Sequence, residues 1–238
     1  MKSQYVLPIT IVVAGALIAG AVFLAGKGTT PTNGNNGTEV KARVYTPGVD
    51  YILGNPNAAV KVIEYSDLEC PYCKTFHTTM HQVIQYYGMS GNVAWVYRHF
   101  PLASIHSKAP KEAEAAECAG KQGGDAAFFK FIDGVYEITP SSNGLDLAQL
   151  PVIAKNIGLD VAAFNQCLNS GEFSKKVAES YDEAIKLGAQ GTPYTILMVG
   201  EDSVVLNGAQ PYDSMRAAID SVLDSLGTPA PATGATTQ

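Results

Sequence analysis

The sequence predicts an α/β domain in which a sheet is interrupted by a block of helices. Three observations carry that expectation. Apolar runs of strand length stand at Val60–Tyr65, Val93–His99 and Tyr194–Val199. Helical periodicity fills the interval from Pro110 to Leu187, between the second run and the third. The pair Cys70-Pro71-Tyr72-Cys73 stands where the first strand gives way to a helix.

The N-terminal segment comes first. Met1-Lys2-Ser3-Gln4 is short and basic, and Tyr5–Gly26 then runs 22 residues without a charge. That is long enough to cross a bilayer as a helix and exceeds the usual apolar stretch of a cleaved signal. We expect residues 1–4 as a cytoplasmic start and 5–26 as a transmembrane anchor or signal. The small residues Leu24-Ala25-Gly26 offer a cleavage site, and processing near Ala25 would make the domain secreted. No cysteine follows the apolar run, which argues against a lipoprotein. An orientation with the N-terminus inside rests on the basic start, because Lys27, Lys41 and Arg43 lie on the other side. Residues 27–41 are rich in Gly, Thr, Asn and Pro and read as a flexible linker.

The folded domain is expected over 42–226. Ala59–Tyr65 reads as a buried strand and Ser66–Glu69 as a polar connection. From Pro71 the apolar positions Phe76, Met80, Val83, Ile84 and Tyr87 repeat at helical spacing and stop at Gly88. Val93–His99, with Trp95, Val96 and Tyr97, is a second strand. The insertion, from about 103 to 188, holds helical segments at Pro110–Lys121, Ala126–Tyr136, Leu147–Asn156, Val161–Leu168 and Glu172–Leu187. Strands at Tyr194–Val199 and Ser203–Leu206, turned at Gly200-Glu201-Asp202, precede a last helix over Pro211–Leu226. Residues 227–238, low in apolar side chains, read as a disordered tail.

Two cysteines three apart at a strand-to-helix junction point to redox chemistry. The first lies at the helix start, where unpaired N–H groups and the macrodipole favour an anion, so a thiolate is stabilised there. Pro71 suits the first helical position, whose N–H would be unpaired in any case. A zinc site would want a second close pair, whereas Cys118 and Cys167 stand far apart. His77-x-x-x-His81 has a metal-ligand spacing but lacks the glutamate of a zinc-protease motif, since Thr78 stands there, and it reads as helix packing. His99 and His106 read as structural. We expect no metal and no cofactor. The net charge of −6, with a pI near 5.2, argues against nucleic acid as a partner.

These residues resemble a family. Tyr51-Ile52-Leu53-Gly54-Asn55-Pro56, Glu64 through Cys73, Tyr97-Arg98-His99-Phe100-Pro101-Leu102, Ala115-Ala116-Glu117-Cys118-Ala119 and Gly191-Thr192-Pro193 are similar to DsbA-like thiol-disulfide oxidoreductases, in their membrane-anchored or secreted bacterial branch. The resemblance spans most of the domain. It implies a thioredoxin fold with an inserted helical domain, here preceded by one N-terminal transmembrane helix.

It also implies roles. Cys70 is the expected nucleophile and Cys73 the resolving cysteine. Pro-Tyr between them resembles the glutaredoxin dipeptide, which implies a milder oxidant than the enteric enzyme with its Pro-His. Pro193 is expected in cis beside the disulfide, with Thr192 offering its backbone to a substrate; the alternative is an ordinary loop proline. Glu64 is expected under the active site, moving protons with a pKa raised by burial; the alternative is a solvated edge glutamate. In relatives a second cysteine pair forms a structural disulfide, which would join Cys118 to Cys167; two buried thiols are the alternative.

The resulting expectation is an extracytoplasmic, monomeric dithiol oxidase. It would act on unfolded or reduced exported proteins, be reoxidised by a membrane redox partner, and be held to the membrane by the N-terminal helix. A disulfide isomerase or reductase on the same fold is the second reading. Such isomerases dimerise through an added N-terminal domain, where this chain has a tether. A non-catalytic chaperone-like module is the third, against which Cys70, Cys73 and Gly191-Thr192-Pro193 argue.

Overall fold

The computed structural model describes residues 41–88 and 90–228. The expected anchor at 5–26, almost all of the linker 27–41 and nearly all of the tail 227–238 lie outside them. Among the described residues, no helix is long and apolar enough to cross a membrane.

A five-stranded sheet organises the domain. Its strands are β1 (Tyr51–Gly54), β2 (Val60–Ser66), β3 (Val93–His99), β4 (Tyr194–Val199) and β5 (Asp202–Asn207), in the order β1-β3-β2-β4-β5. β2 and β3 are parallel, and every other pairing is antiparallel. The parallel pair requires a crossover, which α1 (Pro71–Tyr87) supplies. Between β3 and β4 stand α2 (Ala109–Ile138), a short 3₁₀ turn (Leu147–Gln149), α3 (Leu150–Asn156), α4 (Val161–Ser170) and α5 (Ser174–Lys186). The last helix is α6 (Tyr212–Ser225).

Strand alternation divides the core. Val60 and Val62 of β2, with Trp95 and Tyr97 of β3, face a cluster that includes Phe76, Met80 and Val83 of α1 and Met215, Ile219 and Leu223 of α6. Ile63 and Tyr65 alternate to the other face and join Ala94, Val96, Phe100 and Ala184 of α5. By the same alternation Glu64 belongs to the α1 face, among apolar side chains. The insertion extends the first cluster through Phe128, Phe131 and Ile132 of α2, Ile153 of α3 and Phe164 of α4.

The expected helices Pro110–Lys121 and Ala126–Tyr136 are observed as two helical runs within Ala109–Ile138, broken at Gly123 and Gly124, where the backbone leaves the helical conformation. Gly124 takes φ 64°, a conformation that costs a residue with a Cβ. The elements differ from the sequence-based expectation at β1, which the apolar pattern had not marked. Its four residues pair with Trp95 and its neighbours at one sheet edge, too short a run to show a period.

Candidate active site

The redox pair sits at the junction of β2 and α1. Cys70 is the N-cap of α1, with extended backbone (φ −81°, ψ 122°), and Pro71 opens the helix. No acidic side chain occupies the first turn, so nothing there opposes an anion. Both cysteines are thiols and both are buried, while Tyr72 between them is largely exposed. The Cys70 pKa is lowered to about 6. The largest cause is the hydrogen bond from Cys73; burial works against it, and the backbone N–H groups of Tyr72 and Cys73 add to the lowering. Cys73 is pushed the other way, well above the ordinary thiol value, first by burial and then by Cys70. The N–H of Asp67 donates to the Cys73 sulfur at 3.5 Å. One cysteine is thus a stable thiolate near neutral pH, and the other is a protonated donor behind it.

The Thr192–Pro193 peptide is cis, and the Thr192 carbonyl oxygen lies 3.6 Å from the Cys70 sulfur. The Pro193 carbonyl accepts from the N–H of Gly208 at 3.0 Å, which fixes this turn to the end of β5. Thr192 and Pro193 therefore flank the redox pair from the strand that neighbours β2.

Glu64 lies on β2, fully buried, opposite Tyr97 on β3 and Thr195 on β4. Neither carboxylate oxygen has a hydrogen-bond partner among the described residues. Burial, with the negative charge of Cys70 adding to it, raises its pKa to about 8. Its charge in turn raises the Cys73 pKa. The same neighbourhood holds a chain of buried hydroxyls: Ser66 Oγ lies 3.2 Å and Tyr97 Oη 3.4 Å from Tyr136 Oη, which donates to the Asp67 carbonyl at 3.2 Å.

Sequence reasoning did not find the groups that hold the loop ahead of Cys70. Asp67 is buried. Its carboxylate accepts from the N–H of Glu69 at 2.8 Å, from the N–H of Leu102 at 2.8 Å and from His106 Nδ1 at 2.9 Å. Glu69, also buried, accepts from the N–H groups of Gly144 and Leu145. Glu112 stands near both acids, its pKa raised to about 9 by burial and then by Glu69. The one local signal was an aspartate two residues before a buried N–H in a strand-to-helix loop, a common turn arrangement. The partners at Leu102, His106, Gly144 and Leu145 are far away in the chain and leave no local pattern.

Cys118 of α2 and Cys167 of α4 are joined by a disulfide across 49 positions, with Cα atoms 5.9 Å apart. His99 Nε2 lies 3.3 Å from Glu117 Oε1, and His106 belongs to the Asp67 clamp. His77 and His81 lie on α1 and meet Asp133 of α2.

A family described as Thioredoxin matches residues 46–221. A sodium/proton antiporter, NhaA 1 of Salinispora arenicola, is 31% identical over 175 residues, 74% of this chain. The chain spans about a quarter of the length of the antiporters it matches, 25% in this case. A probable disulfide bond formation protein D of Bacillus cereus is 34% identical over 179 residues, covering 72% of this chain and 77% of that protein. Among solved structures, DsbA2 of Pseudomonas aeruginosa superposes with a TM-score of 0.62 at 27% identity, over 74% of this chain and 96% of its own.

Proposed function

The chain belongs to the thioredoxin family, on its DsbA-like branch, and from that premise we propose that it is a thiol-disulfide oxidoreductase that introduces disulfides into exported proteins. The observation that carries this reading is the split between the two sulfurs. Cys70 has a pKa near 6 at a helix N-terminus, and Cys73 is buried with a pKa far above the ordinary value. Ionised Cys70 stabilises the dithiol state, and a stabilised dithiol state makes the disulfide state more oxidising.

In the proposed cycle a substrate thiolate attacks the Cys70 sulfur of the Cys70–Cys73 disulfide. A substrate–Cys70 bond forms, the Cys70–Cys73 bond breaks, and Cys73 leaves as a thiolate. Cys73 then takes a proton, for which Glu64 is the proposed source because it retains one near neutral pH. A second substrate thiolate attacks the substrate sulfur of the mixed disulfide, and Cys70 leaves as a thiolate. The substrate has lost two electrons and the protein holds them as a dithiol. Thr192 and Pro193 form the proposed wall of the substrate groove, where backbone groups can pair with an extended chain whatever its side chains. A membrane redox partner would then reoxidise Cys70 and Cys73. The extracytoplasmic placement draws support from the apolar segment 5–26 and from the Cys118–Cys167 disulfide, which suits an oxidising compartment.

The test is oxidative refolding of a reduced, unfolded secreted protein with oxidised enzyme, beside equilibration of Cys70–Cys73 with glutathione. Stoichiometric disulfide transfer that is lost in Cys70→Ser supports the proposal. Transfer that persists in Cys70→Ser, or a potential as low as that of thioredoxin, about −270 mV, overturns it in favour of a reductase.

A further inference from the structure

We propose that His77, His81 and Asp133 form a binding site for a divalent transition-metal ion of the zinc class, separate from the redox cysteines. The two histidines lie one turn apart on α1, and Asp133 comes from α2, 52 positions after His81. Nε2 of His77 lies 2.6 Å and Nε2 of His81 2.8 Å from the same oxygen, Asp133 Oδ1, and the two nitrogens are 3.2 Å apart. Plain ion pairing would place one imidazole on each carboxylate oxygen, because two N–H groups crowded on one acceptor repel. Here three donor atoms converge on a common point instead. A metal about 2.0–2.1 Å from each donor holds adjacent ligands roughly 3 Å apart, which is the spacing seen.

The rings are held in place. His77 is buried, with its centroid 5.2 Å from Trp95 and 4.6 Å from Tyr136, and His81 packs edge-on at 5.5 Å from Trp95. The His81 and Asp133 side chains are 40% and 42% exposed, so an ion has a path in and water can complete its shell. Two imidazoles and one carboxylate suit zinc, cobalt or nickel, whereas magnesium and calcium take oxygen ligands. The other grouping of ligand types among the described residues, Cys118, Cys167 and Glu172, has its sulfurs tied in a disulfide. The sequence reads His77-x-x-x-His81 as packing because Thr78 stands where a zinc-protease motif has its glutamate; the carboxylate that joins the pair, Asp133, comes from another helix. His77 stands one turn beyond Cys73, so an ion here would sit beside the redox pair without using its sulfurs.

The test uses the untagged full chain in detergent, oxidised so that Cys70 and Cys73 are bonded and cannot serve as ligands. Equilibrium dialysis against buffered micromolar zinc should give one bound equivalent. His81→Ala and Asp133→Asn, both at half-exposed positions, should weaken binding at least roughly tenfold. Glu172→Gln should bind as the parent does. NMR of the parent protein gives a readout that needs no variant: zinc should shift the imidazole signals of His77 and His81 and leave those of His99 and His106 in place. Absence of bound zinc, binding unchanged in both ligand variants, or shifts confined to His99 and His106 would each overturn the proposal.

Discussion

The Cys70 sulfur and the Thr192 carbonyl oxygen meet at 3.6 Å across 122 positions of sequence. Strand pairing brings them together. β2 and β4 are antiparallel neighbours, with Tyr65 opposite Tyr194, so the end of β2 and the start of β4 share one edge of the domain. The Ser66–Glu69 loop carries the chain from that edge to Cys70, and Thr192 stands two residues before β4 on the same edge. The whole helical insertion is looped out between these two points, which leaves the redox pair and its facing backbone built from the sheet.

The lowered Cys70 pKa should be visible in the reduced protein. Thiolate absorbance should titrate with a midpoint near pH 6, and Cys70→Ser should remove that step. Cys73→Ala should move it upward, because the Cys73 hydrogen bond is the largest cause of the lowering. A depressed folded pKa contributes stability that is fully present above the unfolded thiol value, about 8.5, and lost as pH falls through 6. The reduced protein should therefore gain stability from pH 6 to about 8.5 relative to Cys70→Ser. A midpoint above 8, or equal pH profiles for the two proteins, would contradict the assignment.

Glu64 gives the opposite slope. Its folded pKa, near 8, lies above the ordinary carboxylate value, so its contribution is fully present below about pH 4.5 and is lost as pH rises through 8. Between those limits the native state holds a proton that the unfolded chain releases. This one group should lower stability by up to about 1.4 kcal/mol per pH unit. Glu64→Gln should flatten the dependence in urea unfolding from pH 5 to 8. It should also slow disulfide transfer most at low pH, where the proton held by Glu64 would otherwise be available to Cys73. An unchanged slope would show that Glu64 is ionised or solvated.

Much of this fold was legible because its strands and helices carry strong periods. Pro71–Tyr87, Val93–His99 and Tyr194–Val199 are observed at the limits read from the sequence. β1 was not legible: four residues cannot show a period, and its place is set by pairing with β3. At the site, Cys70 and Cys73 announce themselves by spacing. Asp67 and Glu69 do not, because an acidic residue in a loop looks solvated until distant N–H groups close over it. In the sequence Tyr136 only closes a helical segment, and the tertiary fold alone brings its hydroxyl to Ser66 and Asp67.

The Cys118–Cys167 disulfide should matter for stability and leave the chemistry at Cys70 alone. It closes a loop of 49 positions between α2 and α4. The chain-entropy estimate for a loop of that length is about 4 kcal/mol. Cys118→Ala with Cys167→Ala should lower unfolding free energy by that order in denaturant titrations and leave the thiolate step near pH 6 in place. A loss under about 1 kcal/mol would mean that the unfolded chain is not the state the bond restrains.

Asp67 should be the most sensitive position in the loop that carries Cys70. Its two oxygens take two backbone N–H groups and one imidazole, and the residue is buried. Asp67→Asn keeps one acceptor for the N–H of Glu69 but replaces the oxygen shared by Leu102 and His106 with a donor. Two donors then face an amide in a dry site, and each buried donor left unpaired costs about 1–3 kcal/mol. His106→Ala leaves the bond from Leu102 intact and should cost less, about 1–3 kcal/mol. The Asp67 N–H also donates to the Cys73 sulfur, so a displaced loop should change the sulfurs as well. In Asp67→Asn the Cys70 titration should move from its midpoint near 6, whereas in His106→Ala it should move less. Urea unfolding and thiolate absorbance on the same samples check both halves. Equal stability losses in the two variants, or an Asp67→Asn protein with an unmoved midpoint, would show that the clamp does not set the position of the redox pair.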